Sequence, residues 1–164
     1  MNKTKTRMQY HRKQSGKTNY KKRLKLLQSR KNRLVIRRTN KYIVIQMVDY
    51  EPAGDKVLLS TTSKELVKLG WKHSCKNIPA CYLTGLVVGK KASGKKIKEG
   101  ILDLGLQTPK KGSRLYAALK GVIDSGISIP SSDDIFPSND RLNGKHISDK
   151  VSKDFETIKS KILK

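Results

Sequence analysis

No aspartate or glutamate occurs before Asp49, whereas sixteen lysines and arginines do, and these carry two thirds of the net charge of +24. Apolar residues are few there and like charges are uncompensated, so Met1 to about Lys17 cannot be compact alone. Such a stretch is expected to be an arm that orders on a phosphate backbone. Acids are scarce in the whole chain, 13 against 37 basic residues, so self-repulsion opposes compaction unless a polyanion is present. No run approaches the roughly 18 consecutive apolar residues that a spanning helix needs, which argues against a membrane. The basic N-terminus leads into more charge instead of an apolar stretch and does not read as a secretory signal.

Cysteine is nearly absent. Cys75 and Cys81 are the only two, and they are expected to be free thiols. Together with His73 they offer three ligands at irregular spacing, short of a paired C-x-x-C zinc pattern, so no metal or other cofactor is expected. The three histidines, His11, His73 and His146, are scattered and none falls in a triad with a nucleophile and an acid. Asp103 has no partner carboxylate nearby in sequence and reads as a hydrogen-bonded strand-end acid ahead of a general base. An enzyme is therefore not expected. Lys outnumbers Arg about three to one, so most of the binding should read backbone position and shape.

What is present is a patterned middle. At 164 residues the chain accommodates one domain with basic appendages. The expected division is a basic arm and short helix over 1–30, a compact α/β domain over 31–130, and a loop with a helical extension over 131–164. Thr18 to Ser29 places Tyr20, Leu24 and Leu27 on one face of a short helix, with Lys21, Lys22, Arg23 and Lys25 on the others. Its cationic first turn opposes the helix dipole, which points to an anion near Lys21 and Lys22. Arg33–Thr39, Tyr42–Tyr50 and Lys56–Thr62 are β-rich runs separated by turn residues, which gives a three-strand antiparallel meander. Its first turn gathers Arg37, Arg38, Asn40 and Lys41 at one hairpin end, as a rim for phosphates.

Ser63–Leu69 reads as a helical turn or two ending at Gly70, with Trp71 as a packing anchor. Asn77 caps a helix that is apolar on nearly every face, in which Gly85 and Gly89 permit close approach of a neighbour. Ile101–Leu106 reads as a short strand, and Ser113 caps a second helix with Leu115, Ala118, Leu119, Val122 and Ile123 on one face. Between them Lys110, Lys111, Gly112, Ser113 and Arg114 form a basic turn into a helix N-terminus, an anion site. The spacing is not that of a Walker loop. The stretch beyond Ser138 reads as helical in parts with a frayed end.

Several of these segments resemble one family. Gly16-Lys17-Thr18-Asn19-Tyr20 with Lys21-Lys22-Arg23-Leu24, Gly70-Trp71-Lys72, Asn77-Ile78-Pro79-Ala80 and Leu102-Asp103-Leu104-Gly105-Leu106 are similar to the archaeal-type large-subunit ribosomal protein number eighteen. Lys111-Gly112-Ser113-Arg114, Ala117-Ala118-Leu119-Lys120-Gly121, Ile129-Pro130 and His146-Ile147 continue the likeness in the same order. The resemblance implies helices against a mixed sheet and a basic arm on 5S rRNA. It also implies attachment of 5S rRNA to 23S rRNA in the central protuberance of the large subunit, beside neighbouring ribosomal proteins. Carried onto this chain, the implied contacts are Arg12, Lys13, Lys17, Asn19, Tyr20, Lys21, Lys22 and Arg23, then Arg37, Arg38, Asn40 and the Lys110 to Arg114 turn. A general nucleic-acid packaging protein is the competing reading, which charge alone supports; the apolar core from Leu34 to Ile123 is what such a protein does not need. An RNA-processing enzyme using Asp103 or His73 is the third.

Overall fold

A computed structural model describes residues 8–163. The three β-rich runs form β1 (Arg33–Arg38), β2 (Ile43–Asp49) and β3 (Lys56–Thr62) in the expected meander. A fourth strand, β4 (Ile101–Asp103), lies parallel to β1 on its other side, giving a mixed sheet of order β3-β2-β1-β4. The β4 segment was expected to run on to Leu106 but stops at Asp103, because Gly105 takes a φ of +59° and turns the chain out of the sheet.

Alternation decides which face does what. Leu34 and Ile36 of β1 pair with Met47 and Ile45 of β2, and all four are fully buried beneath the helices. The intervening Val35, Arg37 and Gln46 take the opposite, outer face. A register shift between Met47 and Val48 sets Val57 against Val48 on that outer face, where Val57 stays half exposed.

On the inner face lie α3 (Glu65–Lys68), α4 (Ile78–Gly94), α5 (Arg114–Asp124), α6 (Asn139–Asn143) and α7 (Asp149–Leu163). Asn77 caps α4, its side chain accepting from the Ala80 N–H at 2.9 Å. The glycines of α4 and α5 interlock. A Cβ at Gly85 would stand 2.2 Å from the Ala118 carbonyl oxygen, and one at Gly121 would stand 2.1 Å from that of Tyr82. Backbone thus packs on backbone at this crossing. Gly89 instead makes room for a side chain, since a Cβ there would overlap the Ser125 hydroxyl.

Trp71 is buried and its Nε1–H donates to the Ser74 carbonyl at 3.2 Å, so it is a core anchor as expected. The residues after 131 do more than extend the domain. Val151, Phe155, Ile158 and Ile162 of α7 join the same hydrophobic cluster, Lys90 Nζ donates to the Ile162 carbonyl, and His73 Nε2 lies 2.8 Å from Asp154. Burial pushes the Cys81 thiol up to about 12 and the Cys75 thiol upward as well, so both stay protonated. No helix among the described residues is long and apolar enough to cross a membrane.

Candidate nucleic-acid interface

The outer face of the sheet is not left bare. Across it lies α2 (Tyr20–Leu27), preceded by the short α1 (His11–Gln14), and between α2 and the strands runs a groove of about 1000 Å³. Every residue of α1 is exposed, Arg12 and Lys13 included. Lys3, Lys5 and Arg7, the leading cations of the expected arm, fall outside the described residues.

Asn19 serves first as the N-cap of α2, accepting from the Lys22 N–H at 3.0 Å. The expected apolar face of this helix is corrected by the structure. Leu24 is exposed at 61%, and the face against the sheet is built from Arg23, Leu26 and Leu27 with Tyr20 half buried at its start. The reason is electrostatic. Arg23 reaches Asp55 through two parallel N–H···O bonds of 2.8 Å, and that fork rotates the helix.

This pair is one end of a chain of alternating charges on the groove floor. Asp55 also accepts from Arg33, Arg33 donates to Asp103 at 3.0 Å, and Asp103 accepts from Arg37 at 3.1 Å. Arg33 is only 4% exposed. It was not among the residues sequence reasoning singled out, and its mark is the charge itself at an outer-face position in a β-rich run. Asp103 additionally accepts the Gly105 N–H, which confirms its reading as a hydrogen-bonded strand-end acid. Arg23 donating to Asp55 holds that carboxyl below the usual carboxylate range, with Arg33 adding to the effect against partial burial.

A pH dependence follows from this. Because the folded state lowers its pKa, the Asp55 contribution is present above the ordinary carboxylate pKa and is lost as pH falls through the lowered value. Asp55→Asn should therefore destabilise the chain by about 1 kcal/mol at neutral pH in urea unfolding, and the gap should close as pH falls through that lowered value. A gap independent of pH would mean that packing, not charge, docks α2.

The hairpin end differs from the expected single rim. Strand alternation sends Arg37 to the outer face, where it is tied to Asp103 and to two backbone carbonyls, while Arg38 leaves on the other side and forms no ion pair among the described residues. Asn40 and Lys41 are exposed beside it. Arg37 is thus a structural partner of Asp103 before it is a contact for anything else.

Cations without an ion pair among the described residues surround the groove. Arg12, its Nε bonded to Thr18 Oγ1, and Lys17 stand at the arm end, and Lys22 Nζ reaches the Gly105 carbonyl at 3.1 Å across the opening. Tyr20 stacks with Tyr10 at a centroid distance of 4.9 Å. Lys21 and Lys25 are exposed on the helix flanks. At the far turn Lys110 and Lys111 are exposed, and Arg114 Nη1 donates to the Lys76 carbonyl at 3.3 Å. Ser113 occupies the N-cap position of α5, but its side chain makes no capping bond, contrary to expectation.

A cationic arm and helix clamped over a sheet suit a polyanion, and the family comparison says which. A model described as ribosomal large subunit proteins 60S L5 and 50S L18 matches residues 4–99, a span that includes the arm, α2, the meander and α4. The chain belongs to this ribosomal protein family. Large ribosomal subunit protein uL18 of Korarchaeum cryptofilum (strain OPF8) is 50% identical over 141 residues, covering 86% of this chain and 72% of the relative. The uL18 of Methanothrix thermoacetophila is 46% identical over 161 residues, covering 96% of this chain and 95% of the relative. As a member of the uL18 family, the chain is a structural, rRNA-binding protein of the large ribosomal subunit and not an enzyme. Among the described residues, Asp55 and Asp103 neutralise Arg23, Arg33 and Arg37, the arginines that hold the groove floor.

Proposed function

We propose that this chain binds 5S rRNA and ties it to 23S rRNA in the central protuberance, beside neighbouring large-subunit proteins. The observation that carries the reading is the groove between α2 and the outer sheet face, with fixed, paired arginines below and unpaired cations at its mouth. Arg12, Lys13, Lys17, Tyr20, Lys21, Lys22 and Lys25 make the arm side of the contact. Arg38, Asn40 and Lys41 extend it over the hairpin end, and Lys110, Lys111, Ser113 and Arg114 meet RNA at the far turn. Asn19, Arg23 and Arg37 act through the structure they hold, by capping α2, docking it and bracing the turn after β4.

A preorganised base lowers the ordering cost of the arm, which alone would bind any polyanion. Selectivity comes from the shape that groove and hairpin impose on the RNA backbone. In competition at physiological salt, unlabelled 5S rRNA should displace a labelled 5S rRNA transcript at a concentration at least about tenfold below that needed with transfer RNA, a difference of roughly 1.4 kcal/mol. Equal competition by both would favour a general packaging role instead.

A further inference from the structure

A second basic concavity lies on the helix side of the sheet. It is a hollow of about 440 Å³ lined by Arg38, Lys76, Arg114, Arg141 and His146, with no carboxylate among its lining residues. None of its three arginines, nor Lys76, makes an ion pair among the described residues, whereas Arg23, Arg33 and Arg37 of the groove are all paired. The cations arrive from separate places in the fold. Arg38 ends β1, Lys76 precedes α4, Arg114 opens α5 and Arg141 lies in α6.

Two further features point to an anion there. Ile78 and Arg114, the first residues of α4 and α5, both line the hollow, so two long helices direct their positive dipole ends into it. Ser113 also lines it, and its Oγ is buried without any hydrogen-bond partner, an arrangement that costs stability unless something supplies one. The turn is fixed before any ligand arrives. Gly112, at φ +67°, donates its N–H to the Ile135 carbonyl at 2.8 Å, and Arg114 is held by the Lys76 carbonyl.

We infer that this hollow seats a single backbone phosphate of RNA, a contact separate from the groove and built by Arg38, Lys76, Ser113, Arg114 and Arg141. The inference rests on the reading of the chain as an rRNA binder and adds a defined phosphate site to it. The guanidiniums of Arg38 and Arg141 grip its two non-bridging oxygens, whose remaining lone pairs accept from the Ser113 hydroxyl and the α5 N-terminal N–H groups. Because Arg38 also borders the groove, one RNA strand can pass from groove to hollow around the end of β1.

The test uses the full chain and two probes. Inorganic phosphate, titrated against chloride at equal ionic strength, should shift the amide resonances of Gly112, Ser113, Arg114 and Ile78 along saturable curves. Lys76→Gln with Arg141→Gln should abolish saturation while leaving the remaining spectrum in place. The same double variant should lower the salt slope of binding to a 5S rRNA transcript by roughly 0.7–0.9, the loss of one phosphate contact. Linear, unsaturable shifts in the wild type overturn the site. Saturable phosphate binding with an unchanged RNA salt slope, or with no RNA binding at all, overturns RNA as the source of the phosphate. A wild type that titrates with phosphate but prefers transfer RNA instead contradicts the 5S rRNA reading alone and leaves the hollow standing.

Discussion

Reversing three charges, Arg12→Glu, Lys17→Glu and Lys22→Glu together, should weaken 5S rRNA binding about a thousandfold or more. The magnitude comes from three charge-assisted contacts at roughly 1.5–3 kcal/mol each, with 1.4 kcal/mol per factor of ten. All three side chains border the groove and none pairs with a carboxylate among the described residues, so their charge is available to RNA. Electrophoretic mobility shift at fixed salt reads the loss. Urea unfolding is the control, since exposed substitutions of this kind change stability by no more than about 0.5 kcal/mol. A loss below tenfold would place the contact surface elsewhere.

The second large effect is on folding. Asp103→Ala should destabilise the chain by about 3 kcal/mol, because Arg33, at 4% exposure, would lose one of its two carboxylates in a setting where an uncompensated charge is costly. The same change removes the carboxylate partner of Arg37, leaving it only its two backbone carbonyls, and the acceptor of the Gly105 N–H. Asp103→Asn keeps the hydrogen-bond acceptor and should cost less. Thermal and urea unfolding measure both. If Asp103→Ala were neutral, the alternating ion chain would not be what holds the groove floor together.

The meander, the cap at Asn77 and the buried α4 were legible because each depends on local rules: alternation, a capping side chain and an apolar run on every face. Gly85 was legible as a point of close approach, while its counterpart Gly121 on α5 carries no separate signal. The face of α2 was misread, since spacing favours Tyr20, Leu24 and Leu27, whereas the fold turns inward the face that lets Arg23 meet Asp55, 32 residues further on. Charge complementarity over that distance has no period to detect. Arg33 was overlooked for the same reason, because its partners Asp55 and Asp103 come from two other segments. Arg37 and Arg38 were legible at one end of the hairpin, and strand alternation then turns them to opposite faces of it. Lys76 and Arg141 gave no local signal at all, because only the convergence of α4, α5 and α6 brings them near Ser113.

Hydrogen exchange of the full chain with and without 5S rRNA tests the location of the contact most directly. Binding in the groove predicts slowed exchange in α2 and in the Gly105 to Gln107 turn, with α7 on the opposite layer unchanged. Slowing confined to α7, or α2 amides that exchange equally with and without RNA, would contradict it.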